Sequence, residues 1–346
     1  TFIMKHCKLL SIDLAKTVFQ LCGMDLNNHV ILNKKVTRRK LVESVLQVKP
    51  DAIVMESCYS ANHWGRQFQA LGFKVKLIPP QHVKPFVKGN KNDHHDAVAI
   101  CEASLRPNIH FVPVKTFEQQ DLQAMHRIRQ RLIRDRTSLV NQTRGLLSEY
   151  GIIMTRSYHV MKTQLPLIIE DMSNQLSFLM REMLNDMLDE LRISNHKIEV
   201  IEQKIEQTAA AHPQYQPIMQ IPGIGLITAS AILAQVGDAK QFKSARGFAA
   251  WLGLTPKHQA SGTKIVNQGM SKRGDRYLRT LLIHGGRIVL STFKQDCTLK
   301  RFAKQVEQRR GKHKAVVATA HKMARIIWAV LNKGQAYNPE YTLTQK

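Results

Sequence analysis

The sequence is short of three things, and each shortage excludes a class of protein. Cysteine is scarce: Cys7, Cys22, Cys58, Cys101 and Cys297 are scattered over 346 residues with no CxxC pair and no complete Cys/His cluster. Neither a disulfide framework nor a structural zinc site is expected, and the thiols read as reduced packing residues. Long apolar runs are missing, none approaching the ~20 residues of a membrane-spanning helix, and no signal peptide opens the chain, so the expected compartment is the cytoplasm and no membrane partner is expected. Acidic residues are few, 26 Asp plus Glu against 51 Lys plus Arg, for a net charge of +25 and a pI near 10.1. So basic a chain calls for a polyanionic partner, nucleic acid first.

The length and a 43% hydrophobic content fit a soluble globular protein of two or three domains. Residues 8 to 14, 17 to 25 and 29 to 36 read as three strands joined by short polar turns, a meander. A helix at 41 to 48, a short buried strand at 51 to 56, a helix at 61 to 71 and a strand at 73 to 79 follow, and then a helix beginning in KNDHHDA. By analogy of element order this is the ribonuclease H-like plan.

Four acidic residues punctuate that plan. Asp13 and Glu56 each end or interrupt an apolar run, and Asp93 and Asp96 sit three apart on one face of a helix. Taken singly, each has a plain reading: a turn residue after a strand, or a helix cap. Taken as a set, gathered carboxylates repel unless cations lie between them, and four hard oxygen ligands suit two Mg2+ or Mn2+ ions. Such a pair clamps the attacking and leaving oxygens of a phosphodiester. The loop before the acidic pair carries Lys84, Lys88 and Lys91, read as a phosphate grip rather than a merely solvated loop.

From 116 to 150 the pattern is helical, with Ile128, Leu132, Leu139, Leu146 and Leu147 as an apolar stripe and Arg127, Arg131 and Arg134 on a basic face. Met180, Leu184, Met187, Leu191, Ser194, Ile198, Ile201 and Ile205 then follow the alternating steps of a coiled-coil seam. Because 165 to 207 holds nine acidic and four basic residues, this arm seeks protein: either the preceding helix or a second copy. IPGIG follows, and Gly223 and Gly225 resemble a helix-hairpin-helix turn able to approach a phosphate, or a plain tight turn between packed helices. Residues 241 to 346 hold 21 Lys plus Arg against 4 Asp plus Glu, most of the excess charge. Ser261 lies in a loop after the GLTP turn, and Lys264, Lys272, Arg273, Arg276 and Arg279 can face a phosphoryl group there. Side-chain chemistry alone leaves Ser261 and Ser271 both open as nucleophile.

IDLAK, VMESC, KPFVKGNKNDHHDA, FVPVK, HRIRQRLIRDRTSLVNQTRGLLSEYG, IPGIG, GLTPKHQASGTK and SKRGDRYLRTLLIHG, in this order over nearly the whole chain, resemble the DEDD transposases of insertion-sequence family one-ten. The last block is similar to the eleven-eleven subgroup, and the family includes Piv-type DNA invertases. The resemblance implies an α/β plus α chain. A ribonuclease H-like, Holliday-junction-resolvase-like DEDD catalytic domain would span 1–115, a basic helix and coiled-coil arm 116–212, a mainly helical C-terminal transposase domain 213–333, and a tail 334–346.

It further implies Asp13, Glu56, Asp93 and Asp96 as metal ligands and Ser261 as the nucleophile that becomes covalently linked to DNA. DNA recombination would run through a junction intermediate. The implied partners are donor and target DNA, an element-encoded guide (bridge) RNA, and further copies of the chain, as a dimer or tetramer through the coiled coil, in a bacterial cytoplasm at the nucleoid. Departures from the family pattern are Ala260 before Ser261, Thr263 after Gly262, Tyr59 and Ser60 after Glu56, and His94 with His95 between the two Asp residues. The rival expectations are a metal-dependent junction nuclease that activates water, and a nucleic-acid-binding protein without catalysis.

Overall fold

The computed structural model describes residues 6–87, 92–107, 109–261 and 264–340, with side chains from 258 to 267 outside the described set. The chain falls into two compact units that divide after Phe117. In the first, β1 (Leu9–Asp13), β2 (Val18–Met24) and β3 (Val30–Thr37) form the expected meander. They are followed by α1 (Leu41–Val48), β4 (Ala52–Glu56), α2 (Ala61–Ala70), β5 (Lys74–Ile78), α3 (Pro80–Val83) and α4 (Asp93–Ser104). The sheet order is β3-β2-β1-β4-β5, with β1 antiparallel to β2 and parallel to β4. Both faces are covered, so the central strands are apolar on both sides. Leu10, Ile12, Phe19, Leu21, Ile53 and Met55 face α1 and α2, while Leu9, Cys22, Met24, Val54 and Ile78 face α4.

α4 lies close on the sheet because its inner face is made of small residues, Ala97, Ala99, Cys101 and Ala103. Ser11 of β1 donates its hydroxyl to the Ala97 carbonyl at 2.6 Å. This bond ties the second turn of α4 to the central strand and fixes where the acidic first turn sits.

The second unit begins with three helices, α5 (Phe117–Ser148), α6 (Tyr158–Glu170) and α7 (Phe178–Ala210). α5 and α7 run antiparallel. Arg129 pairs with Glu202 at 2.6 Å and Arg136 donates to Asn195 at 2.6 Å. Of the residues named for a seam, Leu184, Leu191, Ile198 and Ile205 are buried, at steps of seven, while Met180, Met187, Ser194 and Ile201 are half-buried. The buried four are covered from inside the chain, by Leu139, Val140 and Leu147 of α5, by α6, and by Leu122 at the other end. Within the chain, then, α7 folds back on the helices that precede it. On α5 the stripe departs from expectation at Ile128, 44% exposed, because Leu122 and His126 take the inward positions there.

The remaining elements are α8 (Tyr215–Met219), α9 (Leu226–Val236), α10 (Ala245–Trp251), the hairpin β6 (Pro256–Ser261) and β7 (Lys264–Met270), α11 (Arg276–Ser291), α12 (Thr298–Arg310) and α13 (Lys312–Lys333). The hairpin corrects the expectation of a loop around Ser261. A strand as polar as PKHQAS carries no apolar alternation for the sequence to reveal. The 334–340 segment docks on α12, the Thr298 N–H donating to the Pro339 carbonyl at 3.0 Å and Arg301 pairing with Glu340 at 2.6 Å.

One polar cluster crosses this core. His126 is 2% exposed and sits 3.0 Å from the Tyr277 hydroxyl and 3.1 Å from that of Ser230, linking α5, α9 and α11. Ser230 spends its proton on the Leu226 carbonyl at 2.7 Å, which assigns the His126 proton to Nε2 and lets Nδ1 accept from Tyr277. Burial, then the charge of Arg129, lowers the His126 pKa from 6.5 to about 4. The unfolded chain therefore binds this proton more readily. Stability tied to the neutral ring is full above pH 6.5 and is lost as pH falls toward 4, by about 3 kcal/mol at ~1.4 kcal/mol per unit. Urea unfolding of His126→Gln against the wild type through that window should show the wild type losing more stability. Parallel pH profiles would sink this account.

Candidate active site

The carboxylates that interrupt the strands lie on one face of the sheet. Residues of like parity point the same way along a strand, so Asp13 shares the α4 face with Leu9 and Ser11, and Glu56 shares it with Val54. Ile12 is registered with Met55 in the parallel pair, which sets Asp13 and Glu56 side by side at neighbouring strand ends. The row continues through Gln20, paired with Asp13, to Lys35, paired with Gln20.

α4 delivers the other two carboxylates. Asn92 is its N-cap, accepting from the His94 N–H at 3.1 Å, so Asp93 is freed from the capping role a plain reading gives it. Asp93 and Asp96 occupy the first turn, immediately before the Ala97 carbonyl held by Ser11. The rings of His94 and His95 meet edge to face, centroids 5.6 Å apart.

Neighbouring charges act on the groups at these strand ends. Burial, and then the negative charge of Asp96, raises the Glu56 carboxyl above its ordinary pKa. The Cys58 thiol is pushed up to about 11 by desolvation and by the charges of Glu56 and Asp13, so it stays protonated and is no ligand for a hard ion. Asp93 is paired instead with Lys35, Nζ to Oδ2 3.1 Å.

This donor set fits a divalent cation in its chemistry: hard oxygens, mutual repulsion, and an orphaned acceptor beside them. Gln20 Oε1 is buried and finds no hydrogen-bond partner among the described residues, although its amide nitrogen reaches Asn33. As the side chains stand, no three His, Cys, Asp or Glu residues among the described ones are disposed to hold an ion together. Lys35 occupies the place of a counter-charge at Asp93. Neither Gln20 nor Lys35 was singled out from sequence, yet stepping by register from Asp13 across β2 and β3 leads to both.

Of the basic loop, Lys84 is exposed, while Lys88 and Lys91 lie outside the described residues. On α5, Arg127, Arg131 and Arg134 are exposed, and Arg131 is paired with Asp135 at 2.8 Å. Ser261 closes β6, registered with Lys264 at the end of the hairpin. The base of the hairpin is anchored by Ser271 N–H to the Thr255 carbonyl at 2.8 Å and Lys272 N–H to the Gly253 carbonyl at 3.2 Å. Lys272, Arg273 and Arg276 are exposed beside that base.

Arg279 is a correction. It is 8% exposed, and its Nη1 donates to the Gly274 carbonyl at 3.0 Å and the Leu252 carbonyl at 3.2 Å. Three residues after Arg276, it turns inward because α11 buries that face, and it braces the chain reversal that carries the hairpin instead of meeting phosphate.

Gly223 and Gly225 part company. Gly225 is the N-cap of α9, with open space where a side chain would stand. Gly223 has φ +81, and a Cβ there would meet the Gly285 carbonyl at 2.4 Å, so its lack of a side chain serves contact with α11. Gly223→Ala should cost about 2–4 kcal/mol, combining left-handed strain with overpacking, whereas Gly225→Ala should cost under about 1 kcal/mol. Thermal melts of the two variants distinguish them, and equal melts would remove the packing argument.

Against known proteins, residues 10–152 match the family model for DEDD transposases of IS110 type, described as Transposase, and residues 215–302 match the model described as Transposase IS116/IS110/IS902 family. The chain is similar to the transposase for insertion sequence element IS1111A of Coxiella burnetii, 44% identical over 96% of this chain and 92% of that one. It is similar also to the transposase for insertion sequence element IS1328 of Yersinia enterocolitica, 36% identical over 97% and 100% of the two chains. At 25% identity over 77% of this chain and 74% of the other, it resembles the pilin gene-inverting protein of Moraxella bovis.

Proposed function

The chain belongs to the IS110 family of DEDD transposases, and from that premise we propose that it is an RNA-guided, metal-dependent recombinase that cuts and rejoins DNA through a phosphoserine intermediate at Ser261. The observation that carries the reading is the row of Asp13 and Glu56 beneath the acidic first turn of α4, where Asp96 opposes the ionisation of Glu56. A half-buried carboxylate that a neighbouring carboxylate opposes is a poor device for stability and a good one for metal binding.

The sheet order β3-β2-β1-β4-β5, with carboxylates on the first and fourth strands and on α4, supports a ribonuclease H-like reading of this unit. Asp13, Glu56, Asp93 and Asp96 would hold two Mg2+ or Mn2+ ions, Lys35 yielding Asp93 to them. Bound there, the ions supply Lewis-acid stabilisation of the phosphodiester.

Ser261 Oγ gives up its proton and bonds to phosphorus while one backbone P–O bond breaks, the departing oxygen leaving as a free hydroxyl. The reverse attack by a new strand end restores the serine and joins the DNA without ATP. Lys272, Arg273 and Arg276 carry the positive charge that offsets the phosphoryl oxygens. Lys84, Arg127, Arg131 and Arg134 track backbone phosphates, with affinity falling steeply as salt rises. An element-encoded bridge RNA, a junction intermediate and a dimer or tetramer belong to the same reading, at the nucleoid in the cytoplasm. No described helix is long and apolar enough to cross a membrane.

The test incubates the protein with its RNA, Mg2+ and labelled donor and target DNA, and resolves products on a denaturing gel. A protein–DNA adduct that needs both RNA and metal supports the reading. Free nicked ends with no adduct would replace it with a nuclease that activates water, and binding without any cleavage would leave a nucleic-acid-binding protein.

A further inference from the structure

The arm holds three guanidiniums around one cavity of about 670 Å³, lined by Arg136, Thr137, Asn141, Arg144, Arg156 and Tyr158. Arg136 and Arg144 are eight residues apart, about two turns, and so share a face of α5. Arg136 Nη1 donates to Asn195 Oδ1 at 2.6 Å, and its guanidinium lies 4.7 Å from the Tyr158 ring centroid. Arg144 Nε donates to the Met154 carbonyl at 2.8 Å, and its Nη1 is 3.5 Å from Asn141 Oδ1.

All these acceptors are neutral. Elsewhere on the same helices, Arg129, Arg131 and Arg192 are each matched by a carboxylate at 2.6–2.8 Å. Among the described residues none of the three cavity arginines forms an ion pair. The nearby Glu199 carboxylate accepts from the Asn195 amide at 2.6 Å and its charge is felt by the Tyr158 hydroxyl, but it forms no ion pair with a cavity arginine. Arg136 and Arg144 are half-buried and held in place, with most of their five donors each unspent. Like charges fixed around a shared space are stable in company with an anion, and planar forks match the paired oxygens of a phosphate.

We propose that this cavity is a phosphate seat for a nucleic-acid strand, a backbone phosphodiester held by Arg136, Arg144 and Arg156 with the Asn141 amide donating a neutral hydrogen bond; the Thr137 hydroxyl donates to the Ile133 carbonyl at 2.8 Å and only lines the space. It rests on the reading of the chain as a nucleic-acid recombinase. It moves the chief phosphate contact of α5 from the solvated arginines that sequence periodicity singles out to the set that tertiary structure gathers. The strand is RNA or DNA, and the chemistry at the seat is the same.

The experiment measures fluorescence anisotropy of the full-length protein with three labelled probes, a single-stranded RNA, the matching single-stranded DNA and the DNA duplex, each through a salt series. Arg144→Gln and Arg156→Gln are compared with Lys162→Gln, an exposed cation of α6 outside the cavity. Arg156 makes no hydrogen bond among the described residues, so its variant reads binding apart from folding, and circular dichroism melts check the rest. For the strand that uses the seat, each arginine variant should lose about tenfold in affinity at low salt. The slope of log K against log salt should shrink by about 0.7 for a single strand or about 0.9 for a duplex. Which probe responds identifies the strand. Arginine variants that behave as Lys162→Gln does, while the wild type still binds, overturn the seat alone. A wild type that binds none of the three probes overturns the recombinase reading and the seat with it.

Discussion

Glu56→Gln is expected to abolish strand cleavage, by about a thousandfold or more, while leaving the protein as stable as before or more so. The activity loss follows from removing a carboxylate that would hold the ions stabilising charge in the transition state. The stability gain follows from where Glu56 sits. Its folded-state pKa is raised by burial and by Asp96, so its ionised form works against folding. At pH 7 the neutral amide relieves that cost, and the advantage over the wild type should fade as pH falls below the Glu56 pKa and the native side chain takes up its proton. Added Mg2+ should raise the melting temperature of the wild type more than that of Glu56→Gln, since a ligand stabilises only the state that binds it. Asp13→Asn should match it in activity. Cleavage retained in either variant, assayed on labelled DNA, would falsify the tetrad as the metal site.

Ser261→Ala is expected to remove the covalent protein–DNA adduct entirely, a loss on the order of 10⁴-fold or more, as befits a nucleophile whose removal leaves no alternative covalent route. Its melting temperature should still rise with Mg2+, because the carboxylates that respond to metal are untouched. Ser271→Ala is the paired measurement, since the two serines were equals by chemistry alone. The backbone N–H of Ser271 anchors the hairpin base on Thr255, a bond that any residue but proline can make. That variant should therefore keep the adduct. An adduct that persists in Ser261→Ala and disappears in Ser271→Ala would transfer the role from one serine to the other.

Much of the first unit was legible, for a physical reason. Strands buried on both faces read as unbroken apolar runs, and a carboxylate at the end of such a run, as in LLSID and AIVME, stands out against them. Gln20 and Lys35 were silent because polar residues in outer strands are ordinary, and only register sets them beside Asp13. In the second unit the α7 seam was legible as a period and its occupant was not, since apolar residues at steps of seven state what is buried without stating by whom. His126 carries no local signal in the basic helix, because its partners Ser230 and Tyr277 lie 104 and 151 residues away. Arg279 and Arg276 were indistinguishable by type and separated only by which side of α11 the core claims.

The antiparallel pairing of α5 and α7 has a consequence for lineage. From Arg129–Glu202 to Arg136–Asn195 the chain advances seven residues on one helix and retreats seven on the other. A descendant that gained or lost seven residues on both helices together would keep every buried step in phase and change the reach of the arm by about 10 Å per increment. A change on one helix alone would throw Arg129 out of step with Glu202 and open the seam. Reach can thus drift among descendants as a quantised trait, in matched heptads, with Ser261 and the acidic row carried along unaltered.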